Sequence, residues 1–557
     1  MGKSINHQPS TINLLPHLLL GLSLCATLCA AEAPLPKGHV FYQSDFESPD
    51  PLKGWTGQAR FEPGYQSAHA CAIQRSGDAA RRPASVLLPL PVAAMRGYTI
   101  RGTLMVKASQ VSQPPNPWNG IKFMLIIETP EQKLWPQAPI GAGDFDWKRA
   151  GFMTRIPDNA TSVQLLLGLE EVTGSVWFDD LKLTVAKSPA PLAIQPLPIG
   201  FKPHSLPRLR GTMVSPSLDA AGLRVLGRDW NANLIRWQLI RTIRPGQPGP
   251  LADYDQWLEG ELRRLDALLP ECEKHGVYIA LDLHSPPGGK ATVSGYVGTD
   301  DRLFTDRAVQ TKFIEVWRRI ATRYKDAKCI WGYDLANEPV EDWVEEGCDD
   351  WHDLAERTAK AIREIDPARV IIVEAPPWGS PESLADFTPI AVSNVVYSAH
   401  MYVPIAFTHQ GVFQNTKQAW VYPGLIDGKQ WDKAALAKVL QPVRDFQQRW
   451  QVPIYMGEFS AIRWAPGHSA HRYLRDVIEL FESYGWDWTY HALREWDGWS
   501  VEHGSDRRDT KPAATPTDRE LLLREWFAKN HKPDFARNGE APNLIPPGAT
   551  QILRLQT

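Results

Sequence analysis

The sequence predicts a (β/α)8 barrel preceded by a β-sandwich, and three observations carry that reading. Eight short apolar runs recur between residues 209 and 493, with helical patterns between them. Upstream, apolar residues alternate with polar ones at the period of a strand. Between the two regions lies "PAPLAIQPLPIGFKPHSLP", whose six prolines resist both helix and sheet.

The N-terminus reads as a cleaved export signal over residues 1–31. Lys3 supplies a positive charge, Leu14–Ala30 an apolar run, and Cys29 and Ala31 small residues at a cleavage point. An anchor fits less well, because Pro16 and His17 interrupt a run already short for a span. The expected location is therefore secreted or periplasmic. Residues 36–187 form the predicted sandwich. "TSVQLLLGLEEV" alternates Val163, Leu165, Leu167 and Leu169, and "VWFDDLKLTV" alternates Leu181, Leu183 and Val185 with Lys182 and Thr184. Residues 188–207 are the proline-rich linker.

The predicted barrel spans 208–505. Its strands are expected at 209–214, 232–239, 277–284, 330–338, 370–376, 395–402, 453–459 and 486–493, and such doubly apolar runs suit parallel strands covered on both faces. In "DRAVQTKFIEVWRRIATRYK", Phe313, Trp317, Ile320, Ala321 and Tyr324 share one helical face. Residues 506–557 read as a C-terminal extension.

Composition narrows the function classes. The net charge is −3 with no basic stripe, which argues against nucleic acid as a partner. Beyond the signal the chain keeps Cys71, Cys272, Cys329 and Cys348; no C-x-x-C occurs, so no cysteine metal site is expected, and a disulfide among the four is left open. The 22 tryptophans are mostly core by default, with a minority available as flat platforms for sugar rings.

Barrel strands present their chemistry at their C-terminal ends. There the sequence places Arg236 on the second strand, His284 at the end of the third, and Asn337 and Glu338 in "YDLANEP" at the end of the fourth. His400 and Tyr402 in "HMY" end the sixth, and Glu458 in "IYMGEFS" ends the seventh. Singly, each glutamate reads as a cap or surface charge and each of the others as a wall residue or ion-pair partner. Together they converge on one cleft. Two carboxylates across a cleft suit glycoside hydrolysis, one protonated to donate to the leaving oxygen and one ionised to attack or to activate water. No cofactor and no catalytic metal is called for.

With "IRW", "LHSPPGG" and "YVPIAFTHQG", these motifs resemble glycoside hydrolase family 5, over residues 205 to 505. The resemblance implies a retaining mechanism with Glu338 as acid/base and Glu458 as nucleophile. Asn337 would hold a sugar 2-hydroxyl, Arg236 and Tyr402 would bond the nucleophile, and His284 and His400 would line the central subsite. His491 stands where the family usually has a tryptophan platform, which leaves Trp496 or Trp499 to supply the ring, with Trp378 as a second wall. The implied substrate is a β-glucan-type polysaccharide or oligosaccharide. A β-mannanase or exo-β-glucosidase on the same scaffold, or a non-catalytic carbohydrate-binding protein, is the alternative. The sandwich, with "SDFES" at 44–48 opposite "VWFDDLKL", resembles jelly-roll carbohydrate-binding and galactose-binding-like modules. That resemblance offers a structural calcium held by Glu47 and Asp179, against a solvated acidic edge. All candidate catalytic residues lie beyond the linker, so the sandwich is expected to be dispensable for small substrates.

Overall fold

The computed structural model describes residues 34–77, 84–189, 194, 196–198, 201, 204–241, 251–289, 292–293, 296–297, 300–412 and 419–535. The predicted signal therefore lies outside the described residues, as do part of the linker and the last 22 residues of the chain.

The N-terminal region is a sandwich of a six-stranded and a five-stranded antiparallel sheet. The alternation read from the sequence faces inward as expected. Val163, Leu165, Leu167 and Leu169 from Ser162–Glu170 meet Leu181 and Leu183 from Gly174–Lys187 in one core. The first strand, Val40–Ser44, pairs antiparallel with Gly174–Lys187, so the module's two ends lie side by side. Of the two carboxylates considered for calcium, Asp179 is buried and accepts from Tyr65 N (2.8 Å) and Ser67 Oγ (2.6 Å). Glu47 accepts from His69 N at 2.5 Å and pairs with its ring. One short loop, residues 65–69, thus supplies donors to both.

Eight parallel strands close the barrel: Arg210–Val214, Leu234–Gln238, Tyr278–Asp282, Ile330–Asp334, Val370–Glu374, Val395–Met401, Ile454–Phe459 and Asp487–Leu493. Every strand is buried apart from His491, which is half-buried at the mouth. Parallel strands need this, since helices cover their outer face and side chains fill the inside. The helix Arg307–Tyr324 buries the five residues predicted for its inner face. The fourth strand stops at Asp334, earlier than its apolar run suggests, and residues 335–338 continue as irregular chain at the barrel mouth.

Of the segment read as an extension, the helix Asp518–Phe527 and the residues to Asn530 pack on the barrel. Helix Asp518–Phe527 packs beside Ser469–Tyr484, and Phe527 stacks on Trp488 of the eighth strand. Asn530 then bonds Arg210 and Asn231, tying the C-terminal segment to the first strand. The four cysteines among the described residues are free: Cys71, Cys272 and Cys329 are buried and Cys348 is half-buried. Among the described residues no helix is long and apolar enough to cross a membrane.

The sandwich is not merely tethered. Lys187 pairs with Glu341 at 2.8 Å, Arg149 with Glu346 at 2.5 Å, Lys37 with Asp350 at 2.9 Å, and Arg155 with Asp386 at 2.7 Å. The Trp343 indole lies against Gly151, where a Cβ would fall 2.2 Å from its ring. Three of these four acidic partners, and Trp343 itself, belong to the long connection after the fourth strand.

Candidate active site

At the barrel mouth, a cavity of about 740 Å³ is lined by His284, Asn337, Glu338, His400, Tyr402 and Glu458, with Trp496 at its edge. The structure thus brings to one cavity every residue singled out from the sequence except Arg236, which lies beneath it.

Arg236 has no exposed side-chain surface. Its guanidinium meets four carboxylates: Glu458 at 2.5 Å, Asp334 at 2.9 Å, Glu374 at 3.0 Å and Asp282 at 3.2 Å. A buried guanidinium is tolerable only with such partners, because a lone charge there would be strongly destabilising. The barrel supplies them by register, since Asp282 lies opposite Gln238 on one side and Asp334 on the other. Arg236 also donates to Asn337 Oδ1 at 3.1 Å.

The two glutamates sit in opposite electrostatic settings. Glu458 accepts from Arg236 Nη1 at 2.5 Å and from Tyr402 Oη at 2.8 Å. Burial alone would raise its pKa, but the positive charge of His400, His491, Arg236 and His284 holds the carboxyl well below the usual range. Glu338 moves the other way. Burial pushes it up, and against the opposing bond from His400, the negative charges of Glu458 and Glu374 push in the same direction. One oxygen of each glutamate lies within 4.8 Å of the other, with a His400 nitrogen equally near.

His400 links them. Its Nδ1 lies 2.8 Å from Glu338 and its Nε2 3.1 Å from Glu374. Carboxylates on both sides of the ring favour the imidazolium, the form in which either nitrogen can donate. Burial opposes that charge, yet Glu374 and Glu458 raise the ring well above its ordinary value. Gly457 makes room for the ring, since a Cβ there would come within 2.9 Å of Nε2. His284 is oriented by Asp282 at 2.8 Å.

Sequence reasoning did not assign Asp282, Asp334, Glu374 or Glu495. Glu374 is wholly buried, pairs with Arg236 and His400, and accepts the Glu338 backbone N–H at 2.8 Å. Its signal was present: an acidic residue inside "VIIVEAP" has to find a partner. His491 bonds Tyr402 and pairs with Glu495 at 2.9 Å. It lies beside Glu458, 3.4 Å away, rather than offering a broad ring. Trp499 is 7% exposed and packed on Tyr402, His409 and His491, whereas Trp496 is 38% exposed at the cavity edge. Trp378 lines the opposite wall with a left-handed backbone, φ 65°. A bulky residue holds that conformation only where its surroundings fix it.

The family model of cellulase (glycosyl hydrolase family 5) matches residues 202–496. The chain belongs to glycosyl hydrolase family 5. The match covers the barrel from the linker to Trp496 and with it the whole cavity wall on the strand ends. Endoglucanase C of Acetivibrio thermocellus is 29% identical over 268 residues, which cover 43% of this chain and 75% of that protein. Cellodextrinase A of Ruminococcus flavefaciens is 21% identical over 275 residues, covering 48% and 76%. A solved glycoside hydrolase is 26% identical with a TM-score of 0.47, covering 57% of this chain and 99% of that one. As a family 5 member the protein is a glycoside hydrolase, an enzyme acting on O-glycosidic bonds.

Proposed function

We propose that the protein is a retaining β-glucan hydrolase with Glu458 as nucleophile and Glu338 as acid/base. The observation that carries this is the pair itself: two carboxylate oxygens within 4.8 Å, with the Glu458 carboxyl pushed down in pKa by its cationic neighbours and the Glu338 carboxyl pushed up by burial. Retaining enzymes keep their carboxyls ~5–5.5 Å apart, and inverting ones ~6.5–9.5 Å to admit a water. The similar endoglucanases favour a β-glucan substrate. Glu458 attacks the anomeric carbon as the glycosidic bond breaks, and the Glu338 proton passes to the leaving oxygen. A water then adds to the anomeric carbon, gives its proton to Glu338, and Glu458 leaves. Asn337, its oxygen engaged by Arg236, presents its amide N–H groups to a sugar hydroxyl, and His284 and His400 line the central subsite. Trp496 gives the outer sugar an apolar face. The N-terminal signal would export the enzyme to where polymeric glucan is found.

A panel of soluble glucans, mannans and chromogenic glycosides tests the substrate class. Glu338→Gln and Glu458→Gln should each lose at least ~10³-fold in kcat while keeping the fold by circular dichroism. Near-normal turnover in either folded variant removes the assignment. NMR of the first-formed anomer tests the stereochemistry, and inverted product would exclude the covalent step.

A further inference from the structure

The acid/base segment carries strain. Glu338 has φ 44°, in the left-handed region that a residue with a long side chain occupies only when its neighbours over-determine it. Within the barrel its backbone N–H is held by Glu374, and its carboxylate by His400. Pro339 O then accepts from Trp378 N at 3.2 Å, and the next side-chain tie comes from outside the barrel. Glu341, three residues on, is only 6% exposed. One oxygen pairs with Lys187 at the end of the last sandwich strand, 2.8 Å away, and the other accepts Trp351 N at 2.7 Å. The Trp351 indole in turn donates to the Glu374 backbone oxygen at 2.7 Å. On the same connection the Trp343 ring sits on Gly151 of the sandwich strand Gly143–Arg155.

We infer that the β-sandwich is a working part of the active site, with Lys187 as a positioning residue that holds the Glu338 segment through Glu341. This rests on Glu338 being the acid/base. The connection after the fourth strand has little regular structure of its own before Trp351. On the barrel side it is held by Trp378 N to Pro339 O, Glu345 N to Phe304 O and the Gln310 amide on Asp349, and on the sandwich side at Lys187, Gly151 and Arg149. On this proposal the sandwich is not dispensable for small substrates, against what the placement of the candidate residues beyond the linker suggests.

The test uses leaving-group chemistry. A misplaced acid slows departure of a poor leaving group that needs its proton, and spares a good one that does not. The full-length Lys187→Met enzyme should lose about tenfold in kcat on a phenyl cellobioside and less than twofold on the dinitrophenyl analogue, with KM little changed. Lys187→Arg should recover most of the loss. Gly151→Val, which pushes Trp343 away from the sandwich side, should give the same selective loss, so the inference does not hang on one variant folding. Equal effects on both substrates, or no effect in either variant, would overturn it. Glu338→Gln is the control: if it shows no leaving-group selectivity, the acid/base reading fails instead. If Glu338→Gln is selective and the sandwich variants are not, the brace alone is wrong.

Discussion

Glu374 links the groups that surround the two glutamates. Its carboxylate touches Arg236, His400 and the Glu338 backbone, so it fixes the charge below the cavity and the position of the acid together. Glu374→Gln should keep the fold and lower kcat roughly 10²-fold, the scale of a small misplacement at a reacting centre. An unchanged kcat would show that His400 and Arg236 organise the pair without it. The pH profile follows from the two opposed shifts. Glu458 stays ionised well below 4.5, while Glu338 keeps its proton above that value. The basic limb of kcat/KM should therefore report a carboxyl titrating above 4.5, and it should vanish in Glu338→Gln. On the acid side, stability intervenes. Burial opposes ionisation of Glu374, Glu458 and Asp487, but the neighbouring cations leave all three folded-state values below the unfolded ones. The stability they contribute is present above pH ~4.5 and is lost as pH falls through those lowered values. A thermal midpoint that rose steadily from pH 5 to pH 3 would contradict this.

Among the elements, the eight strands were legible because each run is apolar on both faces, and only buried parallel strands require that. The helix faces were legible for the same reason. Other features needed three dimensions. The fourth strand reads as extending to Glu338, because Leu335 and Ala336 are as apolar as Ile330 and Trp331. It stops at Asp334 because that carboxylate has to meet Arg236, and the chain beyond opens into the cavity. Residues 518–527 read as an extension because the apolar signal of Leu522, Leu523 and Phe527 is spread over a helix with buried Arg519 and Glu520. The helix Arg307–Tyr324 offers a test independent of catalysis. Asp306 caps it, accepting from Ala308 N at 2.8 Å. Asp306→Ala should cost about 1 kcal/mol, or ~2–4 °C in Tm, with kcat unchanged. A stability loss below 0.3 kcal/mol would mean that packing alone sets the start of this helix.

For the whole molecule, the cavity's carboxylates and histidine have a geometry that a cation would also fit, so activity in excess EDTA is informative. Arg236 and Tyr402 already occupy Glu458, and full activity in chelator is the expected result. Loss restored by a divalent ion would reassign the cluster. The joint between the ends of the barrel has a consequence in time. The first strand pairs with the eighth, and Asn530 fastens to Arg210 and Asn231. During synthesis the ring thus stays open, with two unpaired strand edges, until the eighth strand, Asp487–Leu493, has left the ribosome. A chain ending at 505 keeps all eight strands but uncovers Trp488 and loses the Asn530 ties to Arg210 and Asn231, so it should melt lower and aggregate more readily than the full chain. The nascent enzyme spends most of its translation as an incomplete sheet whose first strand waits for its final neighbour.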